Sequence, residues 1–193
     1  MSIGLLIDEK NAVVWRGPMV SSAIRQFISE VFWDELDYLV IDMPPGTGDI
    51  HLTLMQAVPV TGVIVVSTPQ DVALADAKKA IAMFAQAQLK TPVIGLVENM
   101  SYFAAPESPE KRYYIFGKEG GKRLAEEYEI PFLGQIPLIQ GIREGGDEGI
   151  PVVLGGNEEA RRAFSEFAGN AARSIAMINA NISSERRAEV VVG

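Results

Sequence analysis

The string Asp42-Met43-Pro44-Pro45-Gly46-Thr47-Gly48-Asp49 directly follows the apolar run Tyr38-Leu39-Val40-Ile41. A continuous apolar run of this length predicts a strand over residues 38–42 that is buried on both faces of a parallel sheet. Ligands of such sheets bind beyond the carboxyl ends of the strands. Asp42 is therefore predicted to face a ligand site.

The residue types in this string indicate a binding site for a polyphosphate and its metal ion. A carboxylate at the end of a buried strand commonly holds Mg²⁺ through its water shell, as the Walker B acid does, and this predicts Asp42 as the catalytic and magnesium-organising residue. The turn is rigid at its two prolines and permissive at its glycines, so the Gly46 amide is predicted to approach a terminal phosphate. The alternative is that Asp42 caps a turn and that Asp49 is the N-cap of a helix over residues 50–57.

The remainder of the chain alternates short β-rich runs with longer helical patterns, which predicts an α/β fold with a mostly parallel sheet flanked by helices. The other predicted strands cover residues 12–15, 62–67, 92–98 and 132–135, and the other predicted helices cover residues 19–31, 73–88, 120–128 and 158–180. We expect a single domain over residues 1–180, a surface loop over residues 104–112 and a disordered tail over residues 181–193.

Composition narrows the class of protein. Of the 193 residues 48% are hydrophobic and 22% are charged, as in a folded globular protein, and no apolar run approaches the roughly 20 residues of a membrane-spanning helix. A net charge of −8 disfavours binding to nucleic acid and to anionic membranes. The N-terminus does not resemble a secretion signal, so we expect a cytoplasmic protein. The chain has no cysteine, which excludes disulfides and thiolate ligands from its own residues.

Two further sequence features are interpreted as structural, without a role in catalysis or phosphate binding. The sequence Gly120-Gly121-Lys122 lacks the hydroxyl residue that follows the lysine of a phosphate-binding loop, so it predicts a helix entry. His51 lies two residues after Asp49, on a different side of a helix, and is interpreted as a solvated or core residue without a catalytic role.

Several segments resemble, in order and spacing, the Mrp/ApbC family of nucleotide-binding iron–sulfur carriers, which are P-loop ATPases related to MinD and ParA. Besides the Asp42 string, the matching segments are Met1-Ser2-Ile3-Gly4, Val13-Val14-Trp15-Arg16-Gly17-Pro18-Met19, Ser67-Thr68-Pro69-Gln70-Asp71, Val97-Glu98-Asn99-Met100-Ser101-Tyr102-Phe103, Ile115-Phe116-Gly117, Phe132-Leu133-Gly134-Gln135-Ile136-Pro137-Leu138 and Ile142-Arg143-Glu144. The resemblance covers residues 1–153 and implies a MinD-like P-loop NTPase fold.

The resemblance also implies an activity and a set of contacts. It implies an ATP hydrolase that binds ATP with Mg²⁺, forms a homodimer, holds an iron–sulfur cluster between its subunits and delivers it to acceptor proteins. Asn99 matches the family asparagine that hydrogen-bonds the adenine edge. The resemblance makes Pro137 and Leu138 candidate packing surfaces for the adenine, although for Leu138 a strand-ending turn is nearly as good an interpretation.

The sequence departs from the family pattern in two places. The glycine-rich phosphate-binding loop does not occur in these 193 residues. We therefore expect that an N-terminal part with the first strand and the loop is missing, and that the chain alone is unstable and binds ATP weakly or not at all. The place of the family's Cys-x-x-Cys pair reads Ala104-Ala105-Pro106-Glu107-Ser108-Pro109, whose oxygens are poor substitutes for thiolates.

Three functions follow in order of preference. The first is an ATP-dependent iron–sulfur cluster carrier or assembly factor. The second is a regulatory ATPase of the MinD/ParA type that binds no cluster, which the missing cysteines favour. The third is a non-enzymatic interaction module, which the missing phosphate-binding loop would permit.

Overall fold

The computed structural model describes residues 2–5, 17–44, 46, 48–86, 89, 91–105 and 107–191. Contacts divide the chain into two compact units, Met1–Val60 and Thr61–Gly193. The single domain expected over residues 1–180 stays a prediction. The predicted strand over residues 12–15 lies outside the described residues.

The first unit is built around two helices, α1 (Gly17–Ser29) and α2 (Asp49–Ala57). They pack against each other, and each contributes one buried apolar side chain, Ala23 at 6% and Leu54 at 2% exposed. The first helix was predicted over residues 19–31 from its apolar spacing, and the second over residues 50–57 as the helix that Asp49 would cap. Both positions are confirmed to within two residues.

The sequence prediction is wrong for the segment just before the Asp42 string, where a buried strand was expected. Residues 38–42 form no strand, and the side chains of Tyr38 and Val40 are 58% and 89% exposed. The apolar run has the composition of a central strand, but a strand forms only where a neighbour takes up its backbone hydrogen bonds. Among the described residues of this unit, no strand offers that partnership.

The second unit contains the sheet. Its strands are β1 (Val63–Ser67), β2 (Val93–Asn99), β3 (Phe103–Ala105), β4 (Ser108–Tyr113) and β5 (Phe132–Ile136), and its helices are α3 (Asp71–Phe84), α4 (Gly120–Glu127), α5 (Gln140–Glu148) and α6 (Glu158–Val191). Within the described part of the chain, β1, β2 and β5 form a parallel sheet in the order β1-β2-β5. The three predicted strands that fall in this sheet and the α/β fold class are confirmed.

Two apolar clusters hold the helices on the sheet. One joins α3 and α4 to the strands through Leu74, Leu96 and Leu124. The other joins α6 to β2 and β5 through side chains that include Val97 and Leu133. Leu96, Leu124 and Leu133 are at most 1% exposed. The carboxyl ends of the three parallel strands therefore lie on a well-packed frame.

Two other regions differ from expectation. The predicted loop over residues 104–112 belongs to an antiparallel hairpin of β3 and β4, in which Phe103 pairs with Tyr113. The helix predicted to end at residue 180 continues to Val191, so the structure is helical over most of the tail that was expected to be disordered. No helix among the described residues has the length and apolar character needed to cross a membrane.

Candidate functional site

The candidate site lies where β2 and β5 end side by side. Asn99 is the last residue of β2, and its register partner is Ile136, the last residue of β5. Beyond the strands the two chains stay joined, because the Ser101 amide donates to the Ile136 carbonyl over 3.0 Å and the Leu138 amide donates to the Tyr102 carbonyl over 2.7 Å. The residues that follow β2 and β5 thus form one continuous edge at the carboxyl ends of the sheet.

Asn99 presents a carboxamide at this edge. Its side chain is half-buried, and its Oδ1 accepts a hydrogen bond of 2.9 Å from the Met100 amide. Met100 has a φ of 52°, so the chain turns sharply just after the strand. A carboxamide oxygen has two lone pairs and the NH₂ group has two donors, so Asn99 retains capacity to donate and to accept. That combination suits the edge of an adenine ring.

The two residues after β5 differ in accessibility. Pro137 is less than 2% exposed, whereas Leu138 is half-buried. Leu138 therefore offers more side-chain surface to a ligand than Pro137 does. The adenine contacts of Asn99, Pro137 and Leu138 remain predictions.

Glu98 directly precedes Asn99, and its side chain anchors the end of β2. This residue was not selected from the sequence. Its side chain is fully buried, with an exposed fraction of 0%. One carboxylate oxygen, Oε2, accepts from the Gly121 amide over 2.6 Å, and the other, Oε1, accepts from Gln135 Nε2 over 2.9 Å. A buried carboxylate needs such partners, and the N-terminal end of α4 favours negative charge. Glu98 thus ties β2, α4 and β5 together immediately before Asn99.

The two glycines that open α4 explain how Glu98 is reached. A Cβ on Gly121 would lie 2.9 Å from Leu96 Cδ2 and 3.1 Å from Glu98 Cβ, and one on Gly120 would lie 2.5 Å from the Pro69 carbonyl oxygen. Only glycine lets the backbone come this close. The predicted helix entry is confirmed. The sequence feature that could have identified Glu98 is an acidic residue inside an apolar predicted strand, with the glycine pair Gly120-Gly121 further along the chain.

The residues of the Asp42 string lie in the other unit, Met1–Val60. Asp42 is exposed, and an exposed carboxylate is compatible with holding Mg²⁺ through water. Gly46 has a φ of 101°, a conformation that side chains disfavour, as the permissive turn required. The helix α2 begins at Asp49 with Gly48 at the N-cap, one residue before the predicted cap. His51 is buried, which agrees with the core interpretation.

Beside the Asn99 edge, Tyr102 joins the strand exit to α6 and to the hairpin. Its hydroxyl donates to Glu159 Oε1 over 2.8 Å, and the guanidinium of Arg112 lies 4.1 Å from its ring centroid. Burial, and then the hydrogen bond to Glu159, raise the pKa of Tyr102 to about 12. The hydroxyl is therefore a protonated donor throughout the neutral range.

The donor set does not fit an iron–sulfur cluster bound by this chain. The sequence has no cysteine. The hairpin places Ala105 and Ser108 opposite each other, within the stretch 104–109 for which the resemblance implies a Cys-x-x-Cys pair. Among the described residues, no group of three or more His, Asp or Glu side chains could hold a metal ion. The cluster, as cargo, would need thiolates from elsewhere.

Comparisons with known proteins identify the family of this chain. A family model described as ParA, NUBPL iron-transfer P-loop NTPase, matches residues 1–172. An iron–sulfur cluster carrier protein of Synechocystis sp. is 47% identical over 178 residues, which are 92% of this chain and 50% of the relative. The chain spans about half the length of the curated relatives that it matches.

Solved structures support the same fold. A nucleotide-binding protein from Archaeoglobus fulgidus, solved in complex with ADP, aligns with a TM-score of 0.61 and 44% identity, covering 68% of this chain and 53% of that one. The cell division ATPase MinD of Pyrococcus furiosus aligns with a TM-score of 0.55 and 23% identity, over 80% of this chain and 57% of its own. The second likeness concerns the fold alone.

Proposed function

The chain belongs to the ParA family of NUBPL iron-transfer P-loop NTPases, and from that premise we propose that it is the base-binding part of an ATP-dependent iron–sulfur cluster carrier or assembly factor. The observation that carries the proposal is the edge formed by Asn99 and Leu138 beyond β2 and β5. Ligands of parallel α/β sheets bind beyond these strand ends.

In this proposal each predicted site residue has its own role in binding or hydrolysing ATP. The Asn99 carboxamide hydrogen-bonds the adenine edge, and Leu138, with Pro137 behind it, packs beside the ring. Asp42 holds Mg²⁺ through water and is the catalytic carboxylate, while the Gly46 amide senses the terminal phosphate. Bound Mg²⁺ would neutralise charge on the phosphates during ATP hydrolysis.

Nucleotide binding by the chain alone should be weak. Backbone amides and lysines of a phosphate-binding loop supply most of the attraction for a triphosphate, and these 193 residues contain no such loop. A decisive test joins the chain to an N-terminal strand and glycine-rich loop and measures ATP affinity by calorimetry. We expect the extension to tighten ATP binding and Asn99→Ala in the extended chain to weaken it about tenfold. An Asn99→Ala variant that binds ATP as tightly as its parent would refute the base-binding role.

The partners follow from the carrier function. We propose a nucleotide-dependent homodimer that passes a cluster to acceptor proteins, with the thiolates for that cluster supplied from outside these residues. Cytoplasmic placement stays a prediction.

One observation favours a second function, a regulatory ATPase of the MinD/ParA type. The chain offers no cysteine to a cluster, and nucleotide-driven dimerisation could itself be the output. Anaerobic incubation with iron and sulfide separates the cluster carrier from the regulatory ATPase, because a carrier bound to its cluster absorbs visible light through sulfur-to-iron charge transfer.

A non-enzymatic interaction module is the remaining alternative, and it predicts no ATP binding even in the extended chain.

A further inference from the structure

Positive charge is concentrated in one short part of this acidic protein. Residues 111–123, the basic segment, contain five Lys or Arg residues and one Glu, a net charge of +4. The whole chain carries −8, so the remaining 180 residues carry −12. The segment covers the end of β4, the connection that follows it and the first turn of α4.

Among the described residues, the ion pairs of Lys and Arg lie outside the basic segment. In the rest of the described structure, five Lys or Arg side chains form ion pairs with carboxylates, and Arg25 and Arg173 form none with a described residue; the pairs are Lys78–Glu127, Lys79–Asp76, Arg143–Glu144, Arg143–Asp147, Arg161–Glu158 and Arg162–Glu166. Between described residues, no ion pair involves a cation of the basic segment. Arg123 Nη1 donates to the Lys118 carbonyl over 2.6 Å, and no described carboxylate neutralises Lys111, Arg112 or Lys118.

Aromatic rings hold three of these cations in place. Lys111 Nζ lies 5.1 Å from the centroid of Tyr113, and Lys118 Nζ lies 5.2 Å from that of Tyr114. Arg112 stacks on the ring of Tyr102. A guanidinium that stacks through its flat face keeps its N–H edge for a carboxylate. Ordering these long side chains before binding lowers the entropy lost when a partner arrives.

The surface around the held cations is also apolar. Tyr113 and Ile115 are 42% and 60% exposed, and Tyr114 is 36% exposed. Tyrosine and arginine side chains are enriched at protein–protein contact surfaces. An extended nucleic acid or an anionic membrane would also meet the −12 of the surrounding chain, whereas a short acidic peptide would contact the basic segment alone.

We propose that the basic segment is a docking surface for an acidic segment of a partner protein, with Lys111, Arg112 and Lys118 binding its carboxylates. The surface needs no nucleotide, so the proposal stands or fails separately from the ATP-binding function. Within a cluster carrier it would place an acidic partner at the hairpin.

The test measures fluorescence anisotropy of a labelled peptide of about 12 residues, rich in Glu and Asp with one Phe, in about 50 mM salt and without nucleotide. We expect the wild-type chain to bind this peptide and to ignore its Gln/Asn counterpart. The double variant K111Q/K118Q should weaken binding about tenfold. The matched control K78Q/K79Q on α3 removes the same net charge and should change affinity less than about twofold.

Three outcomes would overturn the proposal. The first is no binding of the acidic peptide, and the second is an equal loss in both double variants, which would show an effect of net charge. The third is tighter binding of a uridine oligonucleotide or of phosphatidylserine vesicles that is lost in K111Q/K118Q, which would assign the surface to a different class of partner.

Discussion

The amide of Gly121 donates a hydrogen bond of 2.6 Å to the carboxylate of Glu98, a side chain with no exposed surface. This contact places the first turn of α4 against the end of β2, one residue before Asn99. The geometry of the candidate base-binding edge therefore depends on a buried acid and on a glycine that lets a helix approach it.

The first prediction concerns this close approach. Gly121→Ala should lower the free energy of unfolding by about 1–3 kcal/mol, because the new Cβ would crowd Leu96 and Glu98 in a packed interior. Urea unfolding followed by circular dichroism measures the change. Gly146→Ala in α5 is the control: a Cβ there meets no atom within 4 Å, and alanine favours a helix over glycine by up to about 1 kcal/mol. Equal effects of the two substitutions would contradict the account.

The second prediction concerns pH. The pKa of Tyr102 is raised from 10.0 to about 12 in the folded chain. Between these values the unfolded chain has lost the Tyr102 proton while the folded chain still holds it, so the contribution of this group to stability is complete below pH 10 and is lost as the pH rises toward 12. Tyr102→Phe should therefore show a shallower fall in stability over this interval.

The control for this pH dependence is Tyr128→Phe, which removes a hydroxyl from an exposed tyrosine. Urea midpoints at several pH values between 9 and 12 measure the difference. If the wild-type chain and Tyr102→Phe lose stability in parallel, the hydroxyl contact with Glu159 does not carry the effect.

The third prediction concerns the missing thiolates. Ala105 and Ser108 are opposite each other in the hairpin and have the spacing of a Cys-x-x-Cys pair. After anaerobic reconstitution with iron and sulfide, the A105C/S108C variant should gain visible charge-transfer absorbance and should dimerise, because a four-thiolate cluster needs two such pairs. The unmodified chain should gain neither. A control variant, A105S/S108A, keeps the hairpin without thiols. Absorbance in that control at the level of the cysteine variant would show that the iron is bound elsewhere.

Much of the fold was accessible from sequence because its signals are local. The strands β1, β2 and β5 were predicted from apolar runs, and the helices α1 and α3 were predicted from the periodic spacing of their apolar residues. Asn99 and Leu138 were selected through the family resemblance alone, and the structure places them beyond the ends of β2 and β5. These elements agree with the structure to within a few residues.

The features that the sequence analysis predicted wrongly or missed depend on residues that are distant along the chain. Residues 38–42 have a strand's composition, but composition supplies no neighbour for the backbone hydrogen bonds. The hairpin of β3 and β4 is held partly by Arg112 and Tyr102, contacts that no local pattern reveals. Glu98 escaped notice because its partners, Gly121 and Gln135, lie 23 and 37 residues along the chain.

The most direct test of the central claim is an amide NMR titration of the 193-residue chain with ADP and, in parallel, with GDP. We expect weak binding, with a dissociation constant of about a millimolar, and the largest shifts in the Asn99 side-chain amide and in the backbone amide of Leu138. ADP should produce larger shifts than GDP, because guanine presents a different hydrogen-bonding edge. Equal shifts with both nucleotides, or shifts that leave Asn99 and Leu138 unchanged, would contradict a base-binding edge at the ends of β2 and β5.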